Sequence, residues 1–336
     1  GVEKNKETAE KYYKLSAERG NFTGMLHYSN LIKDKNKTTS EHYLQLAIDQ
    51  GGTEALFEYA IMLWEGDGIA TNKRESNKYF KLSIQNEDPK FTYYYANLLY
   101  NNNNKKESSK YYKILADNLN YRGLFKYASM LDEGDGIIKN KIKSAHYFKL
   151  SADNGNPKSM YIYANKLFKG EGVLKDKNSA CNYYKRSADS GFVDAMISYA
   201  NILYDKDSPL FDIKNAAKYY EMAAKQGDDR GMTKYAMMLE KGIGVAANKS
   251  LAIDYYKKAI DKGNDEAMNN YALILETDES NPNNKTEASR YSIFSFISPK
   301  NFHIYQAVLI KTMWLIALYI LDKRQILSSL LFLQLL

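Results

Sequence analysis

An all-α fold of stacked helical hairpins is what this 336-residue sequence predicts, and three observations carry the prediction. A Tyr-Ala or Tyr-Ser pair recurs at Tyr28, Tyr59, Tyr95, Tyr127, Tyr163, Tyr199, Tyr235 and Tyr271, the last five spaced 36 residues apart. A second aromatic, at Tyr13, Tyr43, Phe80, Tyr112, Phe148, Tyr184, Tyr220 and Tyr256, precedes the next pair by 15 residues, or by 16 from Tyr43, where Gly51 and Gly52 add one. Around both landmarks the apolar and small residues fall on one face of a helix. A fixed period of this length marks a repeat architecture, in which each unit buries its apolar face only by stacking on a neighbour.

The first helix of each unit has its apolar or small positions at −4, −3, 0, +1 and +4 from the Tyr, as in Ala195, Met196, Tyr199, Ala200 and Leu203. The second helix has a small residue four before its aromatic, as at Ala9, Ala180, Ala216 and Ala252, and another at +3 or +4. Gly20, Gly155, Gly191, Gly227 and Gly263 lie seven beyond that aromatic, where a helix ends and a positive φ is wanted.

Between the helices lies a turn of variable length that in four units contains a Gly-x-Gly element: Gly66 and Gly68, Gly134 and Gly136, Gly170 and Gly172, Gly242 and Gly244. Stretches such as "LDEGDGIIKN" invite a reading as a calcium or phosphate loop. The acids do not hold their place: Asp67 and Asp135 give way to Glu171 and Ile243, whereas a calcium loop needs fixed alternate oxygens. The glycines therefore read as helix stops and turn formers, followed by the apolar anchors Ile69, Ile137, Val173 and Val245.

Composition agrees with a packed, well-solvated protein: 44% of residues are hydrophobic, 30 are Tyr and 26% are charged. The single cysteine, Cys181, excludes an internal disulfide framework and permits a reducing compartment, so the cytoplasm is the expected location. A net charge of +7 spread over this length is a weak field. The four histidines and Cys181 show no ligand spacing, no Walker lysine follows the glycines, and no carboxylate pair recurs outside turns. No catalysis, cofactor or metal is expected. The sequons at Asn21, Asn36, Asn248 and Asn284 are no more than chance supplies in an Asn-rich chain. The chain opens inside a repeat, and a longer protein is expected upstream of Gly1.

The unit reads small-Met/Leu-x-x-Tyr-Ala-x-x-Leu, Gly-x-Gly-Val/Ile, Ala-x-x-Tyr-Tyr/Phe and Ala-Asp-x-Gly, with near-consensus copies such as "SADSGFVDAMISYANILY". It resembles the Sel-1-like repeat family, a relative of the tetratricopeptide repeats, over residues 1 to about 290. The resemblance implies a right-handed superhelical α-solenoid of stacked two-helix repeats and a function as a protein-binding adaptor or scaffold. The array is expected to run over 1–290 as an orphan second helix, seven complete repeats and a degenerate eighth. The units at Tyr28 and Tyr95 lack Gly-x-Gly, and "LYDKDSPLFD" replaces it after Tyr199, so three turns should differ in shape.

Aligned on the tetratricopeptide pattern, positions −2, +2 and +5 should line a concave groove that takes a protein or peptide segment, the alternative being that many of the aromatics there pack against the neighbouring repeat. Position −2 offers Phe57, Tyr93, Phe125, Tyr161 and Ile197, and position +5 offers Trp64, Tyr100, Phe168 and Tyr204. Position +2 offers Asn97, Asn165 and Asn201, whose amides suit a bound backbone. The lysines flanking the second aromatic, such as Lys110 and Lys113, should face solvent. The rival of another class, an RNA-reading pentatricopeptide array, keeps near-constant length and a basic groove, whereas here the turns vary and the expected groove is mostly aromatic. No nucleic acid partner is expected.

After the array the pattern stops, and residues 302–321 carry only Lys311 as a formal charge. Twenty residues are enough to cross a bilayer. Insertion is marginal, with each Leu, Ile, Val or Phe contributing roughly −0.3 to −0.6 kcal/mol against about +3 for a central Lys. Residues 291–336 thus have three readings: a membrane anchor, a capping helix pair, or a tail that is not the authentic continuation. An anchor would bring the likeness to membrane-bound adaptors of endoplasmic-reticulum-associated degradation, in that membrane.

Overall fold

The computed structural model describes residues 5–66, 70–85, 88–277 and 286–291, and every regular element among them is a helix. In chain order these are α1 (Lys6–Glu18), α2 (Phe22–Ile32), α3 (Lys37–Asp49), α4 (Thr53–Glu65), α5 (Lys73–Ser83), α6 (Pro89–Asn101), α7 (Lys105–Asp117) and α8 (Tyr121–Glu133). They continue as α9 (Lys141–Asp153), α10 (Pro157–Lys169), α11 (Lys177–Asp189), α12 (Val193–Tyr204), α13 (Ile213–Lys225), α14 (Asp229–Lys241), α15 (Lys249–Asp261) and α16 (Asp265–Thr277). A further helical segment covers 286–291. Two compact units divide at Ala180 and Cys181, inside α11. Within each, helices adjacent in sequence pack on one another.

Helix starts are set mainly by asparagine, with Asp88, Asp212 and Asp228 in the same role at α6, α13 and α14. The side-chain oxygens of Asn21, Asn36 and Asn248 accept the amides of Gly24, Thr39 and Leu251 at 2.9 to 3.0 Å, and Asn5, Asn72, Asn140 and Asn156 repeat the arrangement. Each satisfies a backbone donor that a helix N-terminus leaves open. Three of the four sequons are therefore helix caps, and Asn284 lies outside the described residues. Helix ends are set by glycine in the left-handed region: Gly66, Gly134, Gly170 and Gly242 cap α4, α8, α10 and α14 with φ of 65 to 80°. The three turns without this device differ, as α2 ends on right-handed Lys33, α6 on Asn102 with Asn103 at φ 63°, and α12 on extended Asp205.

Inside a hairpin the landmark residues form the core. Tyr95, Phe80, Tyr112, Tyr220 and Tyr256 are fully buried, as are the alanines that follow the first-helix tyrosines, Ala60, Ala96, Ala128, Ala164, Ala200 and Ala236. Tyrosines of the two helices meet edge-on, Tyr59 with Tyr79, Tyr127 with Tyr147 and Tyr199 with Tyr219, at centroid distances of 4.9 to 5.0 Å. Such geometry places a positive ring edge on a negative face.

Between hairpins the contact is made by small residues. A Cβ on Gly123 would stand 2.3 Å from Leu115 Cβ and 2.9 Å from the Ala116 nitrogen, and one on Gly231 would stand 2.6 Å from Ala223 Cβ. The same −4 position is Ser159 in α10, whose hydroxyl bonds that of Ser151 in α9 at 2.7 Å. One junction departs from this: α6 carries Phe91 at −4, opposite Ile84. There α5 packs only sparsely on α6, and aromatic rings bridge the gap, Phe91 stacking on Phe57 at 4.4 Å and Phe80 on Tyr95 at 4.9 Å.

The second glycine of each described Gly-x-Gly turn closes the joint to the preceding unit. A Cβ on Gly136 would meet the Lys105 Cβ at 2.5 Å, one on Gly172 the Lys141 carbonyl oxygen at 2.1 Å, and one on Gly244 the Ile213 carbonyl oxygen at 2.4 Å. Each is the first residue of the preceding second helix. The turn glycines thus act as the sequence reading expects, and they also dock one repeat on another.

Among the described residues no helix is long and apolar enough to cross a membrane. The candidate span 302–321 lies outside the described residues.

Gly172→Ala combines a φ of +72° with that collision, while Gly155→Ala, at φ +88°, meets nothing within 4 Å. Gly155→Ala is expected to lose only the left-handed backbone penalty of about 1–2 kcal/mol. Gly172→Ala should lose clearly more in urea unfolding, and equal losses would remove the docking role.

Candidate functional site

The residues expected to line a groove separate into three groups. Phe57 and Ile197 are buried, 7% and 8% exposed, and Phe57 lies in a core cluster against Phe80, Phe91 and Tyr94. Both are enclosed by packing, which is the alternative to a groove position at these two residues. The physical reason in α4 is the wide α5–α6 junction, which Phe57 helps to fill.

The second group keeps accessible ring surface. Trp64, Tyr93, Tyr100, Phe125 and Tyr161 are half-buried and Phe168 is exposed in the first unit, while Tyr204 is half-buried in the second. Their inner edges touch the core: Phe125 meets Phe148 at 5.9 Å, Tyr93 meets Tyr112 at 6.1 Å and Tyr204 meets Tyr220 at 6.5 Å, all edge-on. Cations lie over five of them. Arg122 lies over Tyr93 and Lys158 over Phe125, at 5.5 and 5.2 Å from the centroids. Lys73, Lys105 and Lys177, each the first residue of a second helix, lie over Trp64, Tyr100 and Phe168 at 5.1 to 5.6 Å. Lys126 is a second cation over Tyr100, at 5.6 Å. The surface is cationic as well as aromatic, which the sequence reading missed. The signal was present in the −5 position, where Lys90, Arg122 and Lys158 follow one another in three successive units.

The third group is the amides. Tyr112 donates its hydroxyl to Asn97 Oδ1 and Tyr220 donates to Asn201 Oδ1, both at 2.6 Å. The acceptor on which a bound backbone was expected to draw is therefore engaged by the chain's own core tyrosine. Burial raises both phenols above their ordinary value, so each remains a donor. The pairing was legible in the repeats: Asn30, Asn97, Asn165 and Asn201 occur where the second aromatic is Tyr, while Phe80 and Phe148 face Ile61 and Ser129 at +2. The unit with Met237 solves the same problem differently, Tyr256 donating to Glu240 Oε2 at 2.9 Å.

Charges in the turns are spent locally. Asp135 accepts from Tyr100 at 2.6 Å and from Lys105 at 2.7 Å, and these two bonds hold its carboxyl below the usual range. Asp132, at +5 of α8, binds the buried Lys166, together with Lys141 at 3.1 Å and Ser144 at 2.9 Å. Burial works against ionisation of Asp132, yet these hydrogen bonds keep its carboxyl below the usual range. Lys110 and Lys113 are solvent-exposed, as expected, in ion pairs with Glu107 and Asp117. Among the described residues no three His, Cys, Asp or Glu side chains are grouped to hold a metal ion.

Two stability measurements test this assignment. Asn201→Ala should strand the buried Tyr220 hydroxyl and cost about 1–3 kcal/mol, and adding Tyr220→Phe should recover part of that loss; additive losses would deny the pairing. Asp132→Asn leaves Lys166 without its carboxylate and should cost about 3–5 kcal/mol at neutral pH. The folded carboxyl titrates below the unfolded value of about 3.9, so its contribution is present above that pH and disappears as pH falls through the depressed folded value. Acid titration of stability should accordingly be shallower in the variant.

With the geometry in view, comparison with known proteins is informative. The Sel1 repeat family model matches residues 1–21, 24–52, 53–88, 122–156, 157–192, 193–228 and 229–264. It leaves out 89–121, the unit of α6 and α7 that carries Phe91 and lacks Gly-x-Gly, although helices form there as elsewhere. The fold is similar to that of a Sel1 repeat protein from Oxalobacter formigenes, with TM-score 0.63 and 22% identity, over 82% of either chain. It is likewise similar to a protective antigen of uropathogenic Escherichia coli that displays an SLR fold, with TM-score 0.61 and 21% identity, over 87% of this chain and 72% of that one. No curated protein sequence matches the chain. Repeat model, register and fold agree, and the chain belongs to the Sel1 repeat family, an all-α solenoid of stacked two-helix repeats.

Proposed function

We propose that this chain is an adaptor or scaffold that holds a segment of another protein along the face formed by its first helices. Sel1 repeat proteins generally mediate protein–protein interaction, which supports the general class. The observation that carries the reading is the recurrence of accessible rings at two register positions, Tyr93, Phe125 and Tyr161 at −2 and Trp64, Tyr100 and Phe168 at +5. Rings with a buried edge and some accessible surface are rigid anchors, and anchors of this kind dominate binding energy at interfaces. Asn97 and Asn201 contribute mainly by orienting tyrosines, with their Nδ2 groups as the donors that a partner could use.

Phe125→Ala with Tyr161→Ala is expected to weaken a captured partner by roughly 2 kcal/mol or more per anchor, with helical circular dichroism retained. Lys110→Ala with Lys113→Ala, on the opposite helix of the hairpin, should leave capture unchanged. If the lysine pair governs capture and the ring pair does not, the partner sits on the second helices and the reading fails.

A further inference from the structure

The cations at the −5 and −1 positions of the first helices are unevenly compensated, and the unevenness points to the chemistry of a partner. In the second unit the −5 and −1 positions of the first helices neutralise one another: Arg230 binds Asp194 at 2.7 Å and Lys234 binds Glu266 at 2.7 Å. In the first unit α4 has acids at these positions, Glu54 and Glu58, whereas the helices that follow hold Lys90 on α6, Arg122 and Lys126 on α8 and Lys158 on α10. Among the described residues none of these four cations forms an ion pair. Asp132 on α8 and Asp135 in the turn after it are already engaged, the first by Lys166 and Lys141 and the second by Lys105 and Tyr100. Lys90, Arg122 and Lys158 are exposed and Lys126 is half-buried.

Resting on the proposed binding face, we infer that the segment held across α6, α8 and α10 is an acidic peptide with apolar residues between its carboxylates. A cation lying over a ring keeps N–H donors free on its outer side, so a carboxylate can bind it without disturbing the ring contact. Apolar side chains then settle on Tyr161 and on the ring surface of Tyr93 and Phe125 that Arg122 and Lys158 leave accessible. The uncompensated charges repel one another in the free protein and are relieved by an acidic partner, which also steers its approach. A nucleic acid would offer negative charge too, but this face pairs its cations with rings in a fixed register and lacks the polar base-reading pairs of a helical-repeat RNA reader.

The test uses the full chain and three fluorescent probes: a short peptide of alternating Glu and Leu, its counterpart with Gln for Glu, and single-stranded oligouridine. The acidic peptide should bind more tightly than the Gln peptide and the oligouridine, and its advantage should shrink as salt rises. Lys90→Gln, Arg122→Gln and Lys158→Gln should each weaken it about two- to fivefold, as exposed ion pairs do. The Lys110→Gln, Lys113→Gln double variant should not change it. Equal binding of the Glu and Gln peptides, both lost in Phe125→Ala, Tyr161→Ala, would overturn the acidic inference and leave the proposed face standing. Tighter binding of oligouridine than of the acidic peptide would also overturn the inference. Acidic-peptide binding that depends on Lys110 and Lys113 instead would overturn both.

Discussion

Everything in this fold depends on how closely one hairpin can approach the next. The approach is set by a line of side chains with almost no bulk: Gly24, Ala55, Gly123, Ser159, Ala195, Gly231 and Ala267 at one register position, facing small residues on the preceding helix. Where glycine stands there, not even a methyl group fits without movement. Because interiors are packed at crystal-like density, this spacing dictates the rest. It brings the Gly-x-Gly turn against the start of the preceding second helix, and it lets the aromatic at −2 reach the first helix of the following unit. Large side chains fill the hairpin interior, and small ones set the distance between hairpins.

The sequence made the fold legible because periodicity repeats the same constraint many times. The landmarks Tyr163 and Tyr199, their neighbouring alanines and the glycines that stop each helix recur with little change. The site was less legible. Position −2 was read as one class, yet Phe57 and Ile197 are enclosed while Tyr93, Phe125 and Tyr161 are half-buried. The difference arises from neighbours that a single helix pattern does not contain, above all the wide spacing beside α6. Asn97 and Asn201 were read for what they offer a ligand, and their first obligation is to a buried hydroxyl. That obligation is visible only when first-helix and second-helix positions are compared unit by unit. The lysines were judged by those beside the second aromatic, so Arg122 and Lys158, which come from the next unit to cover a ring, went unnoticed.

Register also divides labour. Positions −4, −3, 0, +1 and +4 hold the units together, whereas −5 and −1 touch little beyond a ring face or a neighbour of the same register. Electrostatics there is independent of the packing. The two units use it in opposite ways, with internal ion pairs at Arg230 and Lys234 in one and unmatched cations in the other. Exposed pairs contribute little to stability, so the choice at these positions has little to do with folding.

The junction at Phe91 follows a different logic from its neighbours. Elsewhere in the first unit backbones are held nearly in contact through glycine, alanine and serine, and such joints resist bending because no atom has room to yield. Between α5 and α6 the load passes through aromatic rings, Phe57 on Phe91 and Phe80 on Tyr95, on side chains that turn about their own bonds. Elements joined in series deform most at their softest member. A displacement of hairpins in the first unit would meet rotatable side chains at this junction and backbone at the glycine joints, and α6, α8 and α10 lie together on one side of it.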